Sequence, residues 1–315
     1  MKSSLSRCLV AFVLLSLAFP VPVDAATQLN GKIFLPLVAA AQTQPDPAPA
    51  RLPPVGSGWL ARVNAYRTAA HLPALTENTT WSDGDLKHAR YTVGNGVLGH
   101  TEDSSKPYYT PEGAAAAGSS NVMASSSSTA TDESAIDMWM QGPFHALGIL
   151  DPRLSVTGFG SFRDAKAAGS PHMAAALDVI RGNGALPAGF SYPVMWPGSG
   201  ATVSLSSYTG GESPNPLSKC SGYSIPTGLP IILQVGSGSS TPQVSAHSFS
   251  QGTTPLEHCL YDETSFPAGS TETSILAWRN AIVLIPRAPL TPGKTYSVSI
   301  TDRGTRYNWS FTIGN

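Results

Sequence analysis

The chain has 315 residues, a formal net charge of −1 and only 12% charged residues. This length is sufficient for two domains of ordinary size, and the absence of any basic run excludes nucleic acid as a partner. Many Ser, Thr, Gly, Pro and Ala residues with few lysines are typical of an exported protein.

The N-terminal residues have the pattern of an export signal. A positively charged start precedes the apolar residues 8–17, which are too few to span a bilayer. Residues 23–25 form an A-x-A-like site, so we expect residues 1–26 to be a signal peptide that is removed. A retained membrane anchor is the alternative. Cleavage predicts a secreted protein, extracellular or at the cell surface, with no transmembrane segment.

Residues 27–57 are rich in proline and low in charge, which predicts an extended linker.

Helical spacing of apolar residues then begins. The predicted helices run from Trp59 to residues 71–73, from Ser82 to residues 94–96, and from Thr131 or Asp132 to Gly142. Asp85 stands at a capping-box distance from Ser82. Residues 156–162 and 174–179 have the pattern of strands, although an alanine-rich helix remains open for the second segment.

After Gly184, short runs rich in Val, Ile and Tyr alternate with Pro and Gly. These runs predict a β-sandwich. They are residues 202–205, 231–235, 243–249, 282–285, 296–300 and 309–313.

Signal cleavage leaves two cysteines, Cys220 and Cys259, and an oxidising compartment favours one disulfide between them over two free thiols.

Two histidine motifs stand out between these regions. They are LGHT at residues 98–101 and WMQGPFH at residues 139–145. With WLARVNAYR at residues 59–67, ILDP at 149–152 and GFG at 158–160, they resemble the bacterial branch of the CAP superfamily.

The resemblance covers about residues 58–183 and implies an α-β-α sandwich for a CAP domain at residues 58–184. Several segments after residue 190 look like the immunoglobulin-like module often found beside bacterial CAP domains. We therefore expect an α+β protein, with an all-β immunoglobulin-like sandwich at residues 190–315.

The CAP family builds a cleft from two histidines and two glutamates. His100 and His145 match the histidines, which implies a shared cleft able to bind zinc or another divalent metal. The glutamates do not match. Ser120 stands at the first position, although the following Asn121 is kept, and the second position falls near residues 141–142. Carboxylates that could replace them are Glu112 and, further off, Glu102 and Asp103.

The other histidines and the aromatic residues carry no comparable pattern. His88 is predicted to pack against a helix, and Trp139 and Met140 to lie in the core. Tyr108 and Tyr109 could line the cleft or pack in a turn. No role is assigned to His71, His172, His247 and His258.

The resemblance favours an extracellular binding module over two alternatives. Its ligand would be a small molecule, a lipid or a component of the cell envelope. The first alternative is a zinc-assisted hydrolase that uses His100 and His145, which the missing glutamates weaken. The second is a structural envelope protein with a vestigial cleft.

Overall fold

The computed structural model describes residues 58–167, 169 and 171–315, all within one compact unit of residues 46–315. The predicted signal peptide (1–26) and linker (27–57) lie outside the described residues. Within the described part, no helix is both long and apolar enough to cross a membrane. We call residues 58–184 the helical half and residues 190–315 the β half. The predicted domain boundaries stay predictions.

Helices cover both faces of a small sheet in the helical half. Its helices are α1 (Trp59–Ala69), α2 (Thr79–Asn95), α3 (Pro111–Ala117), α4 (Asp132–Gln141) and α5 (Pro143–Ile149). Its strands are β1 (Thr76–Glu77), β2 (Ser120–Ser125), β3 (Val156–Thr157), β4 (Phe159–Arg163) and β5 (Met173–Asp178). Strands β2, β5 and β4 form an antiparallel sheet in that order, and β1 pairs with β3.

Alternating side chains of β5 enter two separate apolar clusters. Ala175 and Leu177 belong to the main core with Trp139, whereas Ala174 packs in a smaller cluster with Ala89 and Val93 of α2. Because successive strand residues point to opposite faces, helices pack on both sides of the sheet. The α+β fold class is thus confirmed, and β5 is a strand and not an alanine-rich helix.

Helix α2 begins earlier than predicted, so the capping box expected at Ser82 and Asp85 is wrong. Asn78 is the cap: its side chain accepts hydrogen bonds from the backbone N–H groups of Thr80 and Trp81, at 3.0 and 3.2 Å. Asparagine is among the best N-cap residues, and this cap outweighs the poor helix propensity of two threonines. Asp85 is therefore an interior residue of α2 and is fully buried.

The β half contains a four-stranded sheet, a five-stranded sheet and a two-stranded sheet. Its first strands are β6 (Val194–Trp196), β7 (Thr202–Val203), β8 (Ser207–Tyr208), β9 (Thr227–Gly228), β10 (Ile231–Gln234) and β11 (Val244–Gln251). The later strands are β12 (Thr254–Pro255), β13 (His258–Tyr261), β14 (Ala281–Pro286), β15 (Thr295–Asp302) and β16 (Thr305–Ile313), with helix α6 at Thr271–Ala277. The sheet orders are β13-β14-β10-β6 and β12-β11-β15-β16-β7, and β8 pairs with β9.

The two halves meet through buried contacts. The Gln234 side-chain amide donates to the Leu150 carbonyl at 2.9 Å, and both residues are fully buried. The rings of Tyr66 and Trp196 pack edge to face with centroids 5.5 Å apart. One continuous apolar core includes residues from both halves, so the halves do not have separate interiors.

The predicted Cys220–Cys259 disulfide is confirmed, and it closes a segment of 39 residues. In the chain-entropy account, a loop of this length stabilises the fold by about 4 kcal/mol. We expect the double variant Cys220→Ala/Cys259→Ala to lose about this much free energy of unfolding in urea titrations. Reduced wild-type protein should match the variant; equal midpoints for oxidised and reduced protein would contradict the prediction.

Candidate functional site

His100 and His145 line one cavity of about 200 Å³. Ser120 and Asn121, at the start of β2, also line it, as do residues of the β half that include Pro214 and Arg279. The cavity therefore lies between the two halves and receives side chains from both. Glu112, the fifth residue predicted for the cleft, is not among its lining residues.

His145 is held by a carboxylate of the β half. It is the third residue of α5, and Oε1 of Glu212 accepts hydrogen bonds from its backbone N–H at 2.9 Å and from its Nδ1 at 2.8 Å. The Glu212 side chain is 2% exposed. Gly142 precedes the helix and has no side chain that could cap it, so Glu212 caps α5 from the other half of the molecule.

Gly142 makes room for this contact. A Cβ at this position would lie 2.6 Å from Oε1 of Glu212, which is closer than real Cβ contacts. Pro143 follows at the first position of α5, where a missing N–H costs nothing. The Gly-Pro sequence before His145 therefore both starts the helix and admits the carboxylate.

His100 lies on the exposed loop between α2 and α3. Its Nδ1 donates to the carbonyl of Ala117 at 3.1 Å. The preceding residue, Gly99, accepts at its carbonyl from Nε2 of His88 at 3.1 Å. His88 is thus not the simple packing residue that its helix pattern predicted: it is 1% exposed and holds the loop that carries His100.

The buried carboxylate of Glu102 is the second hydrogen-bond partner of the His88 ring. Nδ1 of His88 lies 2.9 Å from Oε1 of Glu102, and neither side chain is more than 2% exposed. The other oxygen of Glu102 accepts from the backbone N–H of Thr110. Glu102 therefore links α2 to the start of α3 and positions the loop between them.

The two cleft histidines use their ring nitrogens in the same way. In each ring Nδ1 faces an acceptor, the Ala117 carbonyl for His100 and the Glu212 carboxylate for His145, so Nδ1 carries the proton. Nε2 of each has no protein partner among the described residues. Each ring therefore leaves Nε2 as the nitrogen available to a ligand or a metal.

Carboxylates near His100 in sequence have other partners. Glu112 is exposed, and one of its oxygens lies 3.4 Å from Nζ of Lys87. Asp103 is exposed and accepts from the backbone and side chain of Ser105. Neither contacts His100 or His145 in the described contacts. Glu212, which does contact His145, was missed because it lies 67 residues further along the chain, in a segment that looked like part of the β module.

Ser120 stands at the position where the resemblance predicts an acid, and a carboxylate lies directly beneath it. The Ser120 hydroxyl donates to Oδ1 of Asp85 at 2.7 Å, and Oδ2 of Asp85 is buried without a partner. Burial raises the pKa of Asp85 from 3.8 to about 7, which the Ser120 hydrogen bond only partly offsets. A neutral or half-charged acid therefore lies below the floor of the cavity.

This carboxyl predicts a pH dependence of stability. Its raised pKa means that the folded protein binds a proton more tightly than the unfolded chain between pH 3.8 and about 7. The free energy of unfolding should therefore fall as the pH rises across this range, by up to about 4 kcal/mol. Asp85→Asn should reduce the slope and be more stable than wild type at about pH 8, as measured by urea unfolding.

Asp83, exposed on the same helix and paired with Lys87, offers a matched control. Asp83→Asn should keep the wild-type slope. An unchanged slope in Asp85→Asn would show that this carboxyl does not titrate as described.

Arg279 provides positive charge at the cavity wall. Its Nε lies 3.1 Å from Oδ2 of Asp151, an oxygen that also accepts from Arg153 at 2.8 Å. Two guanidinium groups thus share one buried carboxylate. Burial lowers the pKa of Arg279, but an arginine stays charged. The wall of the cavity is therefore complementary to an anionic or hydrogen-bond-accepting group.

The described residues supply only some of the ligands that a metal ion needs. Two Nε2 atoms are available, and the Glu212 carboxylate behind His145 is the kind of outer partner that metal-bound histidines use. Within the described residues, however, no group of three or more His, Cys, Asp or Glu side chains is placed to hold a metal ion. Water would therefore have to fill the other positions of any metal ion that these two histidines held.

Residues 60–169 match the model of the CAP family, described as the cysteine-rich secretory protein family. Both cleft histidines lie within this match, whereas Glu212 lies outside it. A comparison with curated proteins found no match. The match covers about a third of the chain. Residues 60–169 of the helical half are thus similar to a CAP domain, whereas Glu212 and Arg279, which lie in the β half, are outside the match.

Proposed function

We propose that the protein is an extracellular binding module whose ligand site is the cavity between the two halves. The observation that carries this proposal is that His100 and His145 line one cavity, each with Nε2 free of protein partners among the described residues. Extracellular binding is the general role that a CAP domain suggests. Secretion through the N-terminal signal, and an immunoglobulin-like fold for the β half, belong to the same proposal.

The wall of the cavity indicates the kind of ligand. Phe144, Val179, Ile180 and Ile275 supply apolar surface, and Arg279 supplies a cation. A volume of about 200 Å³ is below that of most drug-sized pockets. These features favour a small ligand, or one end of a longer lipid or envelope component, that joins an apolar body to an acceptor group.

A divalent metal such as zinc would be held by Nε2 of His100 and of His145. Bound there, it would supply a Lewis acid and a water of lowered pKa. Glu212 would hold the His145 ring in the orientation and tautomer that metal binding needs. The Ala117 carbonyl would do the same for His100.

Zinc titration by calorimetry on the full chain tests this site. We expect micromolar binding in the wild type and its loss in both His100→Ala and His145→Ala. Glu212→Gln keeps an acceptor for Nδ1 but removes the charge, so it should weaken binding about tenfold. His172→Ala is the matched control and should bind like wild type, because His172 does not line the cavity.

Binding that persists unchanged in His100→Ala and His145→Ala would overturn the metal site. An absence of zinc binding in the wild type would leave the cleft as a site for a metal-free ligand and would contradict the two-histidine metal site. The third role predicted from the sequence is a structural envelope protein with a vestigial cleft. For that role, wild type should bind no zinc, and His145→Ala should not change the affinity for any ligand.

The contact between His145 and Glu212 also favours a second candidate function, hydrolysis. A histidine whose Nδ1 donates to a buried carboxylate is oriented to take a proton at Nε2. Ser120 is not a suitable nucleophile because its hydroxyl donates to Asp85, so water would have to attack. Hydrolysis of an activated ester by wild type, abolished in His145→Ala and kept in His172→Ala, would support this candidate; equal rates would exclude it.

A further inference from the structure

The β half contains a second pair of histidines, far from the cleft in sequence and independent of its proposed function. Nδ1 of His247, on β11, lies 2.8 Å from Nε2 of His258, at the start of β13. The two rings are nearly perpendicular, with centroids 5.0 Å apart. No sequence pattern connects the two residues, because their positions differ by 11 and strand β12 lies between them.

The hydrogen bonds of the pair determine where its protons lie. Nδ1 of His258 lies 2.8 Å from the carbonyl of Leu256, which can only accept, so this nitrogen carries a proton. In the neutral ring Nε2 of His258 is then an acceptor, and Nδ1 of His247 donates to it.

His258 sits on rigid backbone. It pairs with Pro286 in the register of β13 and β14, and the next residue, Cys259, forms the disulfide with Cys220. The ring of Phe249 packs edge-on against its ring at 6.1 Å. The His247 side chain is exposed, and its one hydrogen bond among the described residues is with His258. Nε2 of His258 is thus held in place by its surroundings, whereas Nδ1 of His247 belongs to an exposed ring.

Two imidazole nitrogens at this separation match neighbouring ligands of a square-planar metal ion. Cis nitrogens that are each 2.0 Å from such an ion are about 2.8 Å apart, whereas tetrahedral zinc would place them about 3.3 Å apart. The Leu256 carbonyl at Nδ1 of His258 is the outer partner that metal-bound histidines commonly have.

We propose that His247 and His258 form a binding site for a divalent late transition metal, Cu²⁺ or Ni²⁺. The metal binds Nε2 of His258 and Nδ1 of His247, and water fills its other positions. The proton on Nδ1 of His247 moves to Nε2 of the same ring through solvent, so the neutral pair releases no net proton. For this, Nδ1 of His247 has to move off the line of the Nε2 lone pair of His258, so that this lone pair points at the ion.

Copper titration of the full chain, followed by calorimetry and by electron paramagnetic resonance, tests the site. Wild type should show a tight Cu²⁺ site with coupling to two nitrogens, and this site should remain in His145→Asn, where the cleft pair is lost. His247→Asn and His258→Asn each leave a single ligand, so each should weaken this binding about 100-fold. His247 is exposed, so its variant should keep the wild-type fold, which circular dichroism checks.

Two further variants separate this site from the cleft. His145→Asn removes the cleft pair and should keep a tight site, and His145→Asn/His172→Asn should bind Cu²⁺ equally well. The proposal fails if adding His247→Asn to His145→Asn leaves Cu²⁺ binding equally tight, or if His145→Asn shows no tight site. It fails also if wild type shows no tight site, in which case the two histidines are a hydrogen-bonded pair only.

Discussion

Replacing Glu212 by alanine is expected to lower the free energy of unfolding by about 3 kcal/mol. The carboxylate is buried, and it satisfies both the backbone N–H and the ring Nδ1–H of His145. Alanine would leave two half-buried donors without a partner and would remove the cap of α5. Urea unfolding of the full chain, followed by tryptophan fluorescence, measures the loss.

Two further variants serve as controls for this result. Glu212→Gln keeps an acceptor of the same shape and should cost only about 1 kcal/mol. Glu257 is also on the β half but is exposed and pairs with Arg287 at the surface, so Glu257→Ala should stay within about 0.5 kcal/mol of wild type. If Glu212→Ala costs no more than Glu257→Ala, Glu212 does not hold His145 in solution.

Replacing Gly160 by alanine is expected to destabilise the helical half by about 3 kcal/mol. A Cβ on this residue of β4 would lie 2.0 Å from the backbone nitrogen of Leu86 in α2. Backbone atoms cannot rotate away, so α2 would have to move off the sheet. This shift would also displace Asp85 from Ser120 and His88 from the loop that carries His100. Thermal and urea unfolding measure the cost.

Gly184 provides the matched control for this substitution. It has no positive φ, and a Cβ there would meet no atom within 4 Å. Gly184→Ala should leave stability within about 0.5 kcal/mol of wild type. Similar unfolding curves for the two alanine variants would contradict the close approach of α2 to β4.

The long elements were predictable from periodicity, and the short ones were not. Six runs in the β half lie at β7, β10, β11, β14, β15 and β16. Helices α3, α5 and α6 were missed, because seven residues are too few for a helical period to be recognised. Helix α2 was predicted too short because its cap, Asn78, precedes two threonines that have low helix propensity.

Only the site residues that belong to local sequence motifs could be predicted. His100 and His145 each stand in a distinctive motif, and a family resemblance was enough to single them out. Glu212 and Arg279 could not be found in this way, because they reach the cavity by packing of the β half against α5 and not by any spacing in the sequence. The pair of His88 and Glu102 was hidden for the same reason: its partners are 14 residues apart across an irregular loop.

The central claim is that protein acceptors hold both cleft histidines in the tautomer that leaves Nε2 free. Long-range ¹H–¹⁵N correlation spectra of protein labelled at histidine report this tautomer directly. We predict that the rings assigned through His100→Ala and His145→Ala carry their proton on Nδ1 at about pH 8. A spectrum in which His145 carries its proton on Nε2 would contradict the contact with Glu212, and with it the role of the β half in completing the site.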